Sequence, residues 1–77
     1  MLTLKNIKIK NNFAEADFYP ENSEHHGHII INLKDEEIEK IKMVKGYSDM
    51  HAAHAIQALI EMAKTNDTRT ERLVMWY

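Results

Sequence analysis

Apolar and polar positions alternate through most of the N-terminal half of the chain, the period of strands with one buried face. In LTLKNIKI the apolar residues are Leu2, Leu4, Ile7 and Ile9, and their phase changes between Leu4 and Ile7. One extra residue flips the faces of a strand, so the pattern predicts a bulge near Lys5–Asn6. Asn11–Asn12 supplies a turn, since asparagine tolerates left-handed backbone angles. FAEADFY then sets Ala14, Ala16 and Phe18 on one face and Phe13, Glu15, Asp17 and Tyr19 on the other, completing a hairpin. Pro20 to Gly27 reads as a polar loop, with both glycines and the proline at turns. GHIIINL is a third strand, apolar on both faces in its middle and therefore placed centrally in the sheet.

KDEEIEKIKMVKG fits two patterns. Ile38, Ile41 and Lys45 could mark one side of a short helix, with acidic residues at its N-terminus. Read as a strand, Ile41 and Met43 alternate with Lys40 and Lys42 after a tight turn at Lys34–Asp35–Glu36. The strand reading is preferred, because it closes a second hairpin.

The period changes at Ser48. From about 48 to 64, an advance of about 100° per residue gathers Ala52, Ala55, Ile56, Leu59 and Ala63 on one face. Met50, His54, Gln57, Glu61 and Lys64 fall opposite. Ser48 or Asp49 supplies the cap, and the alanines let the helix lie close on a sheet. Thr65–Thr68 is the exit loop. ERLVMWY is a last strand, with Leu73 and Met75 alternating against Val74 and Trp76.

The expected fold is therefore α+β, in the order β-β-β-β-α-β. A mostly antiparallel sheet of four to five strands carries one amphipathic helix on one face, in a single domain over residues 1–77. One helix covers one sheet face. Phe13, Tyr19, Ile30, Val74 and Trp76 suggest that the other face is also apolar, and a homodimer through it is the simplest cover.

Size and composition sharpen that expectation. Seventy-seven residues bury a modest core, so a partner chain, a metal or disulfides would help. The chain has no cysteine, which excludes disulfides and thiolate sites. A hydrophobic fraction of 44% and a charged fraction of 29% suit a globular domain. The N-terminus lacks an apolar run of signal-peptide length and nothing approaches a transmembrane span, so a cytoplasmic protein without membrane partners is expected. A net charge of −2 gives no bulk attraction to nucleic acid. Lysines cluster at Lys5, Lys8 and Lys10 and at Lys34, Lys40, Lys42 and Lys45, but on outer strands lysine more often guards edges. A nucleic-acid-associated role is thus a third reading.

The five histidines raise a metal question, and their protonation would move the net charge from −2 to +3. His51 and His54 are neighbours on the helix, but metal sites on helices usually space histidines by four. His26 and His28 would share one face of a strand, where two neutral imidazoles can hold one zinc or nickel ion. Nothing in the sequence unites the two pairs. No metal site or cofactor is assigned, and His26, His28, His51 and His54 stay as the candidates for a histidine-dependent metal or small-ligand protein. Catalysis has weaker support. Ser48 is better explained as a cap than as a nucleophile paired with His51, and the acidic run at Asp35–Glu39 reads as a solvated turn. No phosphate loop or dinucleotide fingerprint is present.

YPENS, GHIIIN, HAIQAL and the terminal VMWY span most of the chain. On these segments the chain resembles a group of small bacterial α+β proteins, a domain of unknown function with no assigned activity. The resemblance implies a compact α+β domain of bacterial origin and transfers no catalytic or ligand residue. The expected function is a non-enzymatic protein-interaction module, acting as a homodimer.

Overall fold

The computed structural model describes residues 1–21 and 23–75. Five strands and one helix follow in the expected order: β1 (Leu2–Lys10), β2 (Phe13–Pro20), β3 (Gly27–Asn32), β4 (Glu37–Lys42), α1 (Asp49–Lys64) and β5 (Arg72–Val74). They form one antiparallel sheet in the order β4-β3-β2-β1-β5. The first four strands are a meander, and α1 carries the chain back over it to place β5 beside β1.

Asparagines shape the turns and the bulge. Asn11 and Asn12 both have positive φ, 52° and 67°, as a two-residue hairpin turn of the primed type requires. Asn6, at φ 54°, sits in the β1 bulge, where the register with β2 shifts between Lys5 and Lys8. The bulge brings Leu4 and Ile7 to one face, both buried. The Ile7 N–H donates to the Thr70 carbonyl at 3.0 Å, tying the loop before β5 to β1. Asn66, at φ 55°, ends the helix. Its N–H donates to the Ala63 carbonyl and that of Asp67 to the Met62 carbonyl, the paired bonds of a Schellman cap. At the other end, Ser48 stands at the cap position but its side chain makes no capping bond, against expectation.

The core lies between the sheet and α1. Leu2, Leu4, Ala14, Ala16, Phe18, Ile29 and Ile31 supply the sheet side, and Ala52, Ala55, Ala58, Leu59 and Met62 the helix side. The buried stripe is rotated toward Ala58 and Met62, leaving the expected Ile56 and Ala63 half-buried. Losing the Leu59 side chain would cost about 2–5 kcal/mol, a large share of the roughly 5–15 kcal/mol that holds a small domain folded.

Four further expectations need correction. Val74 was expected on the second sheet face, but it pairs with Leu2 and is buried on the helix side. Leu73 takes the open face instead, opposite Thr3. The most central strand is β2, with β3 beside the β4 edge. Gly27 opens β3 opposite Phe18 and is not in a turn. A side chain there would collide with the Phe18 ring and the Lys42 carbonyl, so its glycine is required by space. The last strand is also shorter than expected. Met75 lies beyond it, and Trp76 falls outside the described residues.

Gly27→Ala is accordingly expected to destabilise the fold by about 1–3 kcal/mol, because Phe18 cannot yield within a filled core. Urea unfolding of the variant beside the parent chain measures this; an unchanged midpoint would show that the ring moves freely.

Candidate functional site

Two surfaces concentrate the polar and exposed groups: the sheet face away from α1, and the β4 edge. The open face is built by cross-strand register. One row runs Lys42, His28, Asp17, Lys5 and the next Lys40, Ile30, Glu15, Lys8. Opposite charges thus face each other between β1 and β2 in each row, Lys5 with Asp17 and Lys8 with Glu15. Among the described residues, the apolar surface expected here is reduced to Phe13, Leu73 and the half-buried Tyr19 and Ile30.

His28 sits at the centre of this face. Its Nδ1 lies 2.6 Å from Asp17 Oδ1 and its Nε2 lies 3.2 Å from Glu15 Oε2. A neutral ring donates to one of the two carboxylates, and a protonated ring to both. His26 joins from the preceding loop, its ring 5.0 Å from that of Tyr19 and its Nε2 3.9 Å from Asp17 Oδ1. From β1, Asn6 Nδ2 donates to Asp17 Oδ2 at 2.9 Å. Burial works to raise the pKa of Asp17. The hydrogen bonds from Asn6 and His28, with the nearby charge of His26 and His28, outweigh it and hold the carboxyl below its ordinary value.

The sequence pairs His26 with His28 and His51 with His54. The structure brings the first pair onto Asp17 and Glu15, on the face opposite the helix. His51, in the first turn of α1, lies instead against Glu21, with Nε2 3.2 Å from Oε1, and edge-on to Tyr47 at 5.5 Å. Glu21 also receives the N-terminal ammonium at 3.3 Å. The His51 bond, then that of the N-terminus, lowers the Glu21 pKa. His54 is half-buried on the helix. Among the described residues, no three histidine or carboxylate side chains are grouped to hold a metal ion. The two ring nitrogens of His28 each reach a carboxylate on β2 and so tie β3 to β2.

The β4 edge is different in kind. All six of its residues are exposed. Helix α1 packs mainly on β2, β1 and β5, so the β4 side of the sheet projects beyond it. Ile38 and Ile41 pair with the buried Ile31 and Ile29 and so face the helix side, yet they are 48% and 39% exposed. A bulge makes this possible. The register with β3 shifts between Ile30 and Ile31, leaving Glu39 as the extra residue and bringing both isoleucines to one face. A shallow depression lined by Leu33, Glu36, Ile60, Ala63 and Lys64 adjoins the β3–β4 turn. These features were not found from the sequence, although the three-residue spacing of Ile38 and Ile41 was the signal.

The strongest electrostatic clamp lies away from both surfaces. Arg69 donates to both carboxylate oxygens of Asp67, from Nε at 3.0 Å and Nη2 at 2.6 Å. These side-chain bonds, with one from the Arg69 backbone, bring the Asp67 pKa from 3.8 to about 2. A depressed carboxyl stabilises the fold above its unfolded pKa and loses that contribution as pH falls through the folded one. Stability from this clamp is thus complete above about pH 4 and lost toward about pH 2. Asp67→Asn is expected to lower stability at neutral pH and to flatten that acid limb; unfolding curves across the acid range check it, and a limb of unchanged slope would sink it.

Comparison with known proteins found no matching family model, no matching curated protein and no matching solved structure.

Proposed function

We propose that the chain is a non-enzymatic protein-interaction module that acts as a homodimer in a bacterial cytoplasm. The observation that carries this reading is the β4 edge. It presents exposed isoleucines on a strand with one unpaired side, in a domain small enough to gain from burying them. The surplus apolar surface that motivates a dimer thus lies beside the helix, where one helix fails to reach the fourth strand. The open face, with its paired charges, suits solvent. Also in support, no described helix is long and apolar enough to cross a membrane.

A histidine-dependent metal or small-ligand protein is the second reading. It would have to turn His28, now bonded to Asp17 and Glu15, toward an ion, and no group arranged for a metal is found among the described residues. A nucleic-acid role would use the lysines of the open face, but Glu15 and Asp17 run between them.

Sedimentation velocity over a dilution series tests the leading reading. A dimer that dissociates on dilution is expected, and a monomer at the highest concentration would end it. Titrating zinc or nickel into the parent and His28→Ala tests the second reading. The expected result is no binding that depends on His28; histidine-dependent binding would move the conclusion to metal.

A further inference from the structure

We propose that β4 pairs antiparallel with β4 of a second copy of this chain, in one register. That register sets Glu37 opposite Lys42, Ile38 opposite Ile41 and Glu39 opposite Lys40. The proposal rests on the dimer reading above and names its surface and geometry.

The strand reads Glu37–Ile38–Glu39–Lys40–Ile41–Lys42. Turned about a point between Glu39 and Lys40 and laid beside itself, it matches at every position. Each acid meets a lysine, and each isoleucine meets an isoleucine. The faces agree as well. Glu37, Lys40 and Lys42 pair with Asn32, Ile30 and His28 and lie on the open face, where Glu39 also bonds Asn32. Ile38 and Ile41 lie on the helix side. This agreement depends on the bulge. In a regular strand, residues three apart point to opposite faces, and the same pairing would set apolar side chains against charged ones.

Other registers fail on the same side chains. A slip of one residue places Glu39 on Glu39 or Lys40 on Lys40 across the axis and moves both isoleucines against charges. A slip of two sets Ile38 beside Glu39, or Lys40 beside Ile41. Parallel pairing puts every charge opposite its like. Like charges directly opposite destabilise a strand pair and opposite charges support it, so this order of side chains selects one alignment. Charges and bulges on edge strands ordinarily discourage pairing with other chains. Here the charges are ordered to discourage strangers while leaving one self-match. Because all six residues are already exposed, pairing asks no rearrangement of the core. It would join the two sheets into one, with both helices on the same side and the four isoleucines contiguous between them.

The experiment compares the full chain, Lys40→Glu, and the exchange variant Glu39→Lys/Lys40→Glu by sedimentation velocity over a dilution series. Thermal unfolding of each confirms that it is folded. Lys40→Glu turns both central pairs into acid against acid and is expected to weaken the dimer about tenfold. Lys42→Glu, at the strand end, acts in the same direction. The exchange restores opposite charges across the axis and is expected to return the affinity to within about twofold of the parent. A parent chain that stays monomeric overturns the dimer reading itself. A dimer indifferent to Lys40→Glu, or not restored by the exchange, overturns pairing through β4 and leaves the dimer reading standing.

Discussion

An α-helix with its side chains is about 10 Å wide, and five strands span about 19 Å. One helix therefore cannot roof this sheet, and the rest of the structure follows from where it lies. Helix α1 packs over β2, β1 and β5, drawn close by Ala52, Ala55 and Ala58 and anchored by Leu59 and Met62. Arg72 fastens the β5 side, with Nη2 3.2 Å from Glu61 Oε1 on the helix. The β4 side is left projecting. Its isoleucines continue the core rows of Ile31 and Ile29 past the reach of the helix and stay exposed.

The open face answers the same shortage in another way. With no second layer to cover it, the sheet carries carboxylates on its central strand and bases on the strands to either side. Each of these carboxylates has a basic side chain one strand away, so both can sit on a wet face and still be paired. Exposed pairs of this kind contribute about 0–1 kcal/mol each. Their larger effect is on register. A slip of one residue would put Asp17 and Glu15 on the helix side.

Much of the fold was legible in the sequence, because alternation and helical period follow directly from one buried face. The phase change at Leu4–Ile7 was read as a bulge, since regular strand lay on both sides of it. The same three-residue spacing at Ile38–Ile41 left strand and helix both open, because three is also nearly a helical turn. The β4 bulge thus hid the strand it shapes. Val74 was misplaced for a related reason. A three-residue strand has too few positions to fix its face, which is set by Leu2 across the pairing. The site was less legible than the fold. His26 and His28 form a pair in the sequence, but their partners Asp17 and Glu15 lie nine to thirteen residues away and meet them only through the β2–β3 register. Gly27 was assigned to a turn, because the ring that demands it belongs to another strand.

The sheet has two ends of unequal length. One is β4, six residues long, and the other is β5, with three. An assembly grows into a fibre when each end can receive the opposite end of the next molecule, and it stops when an end matches only itself. A self-matching β4 and a β5 too short to template a long partner would give a closed pair. In such a pair the described part of β5, three residues at each outer margin, would offer little for a further copy to add to.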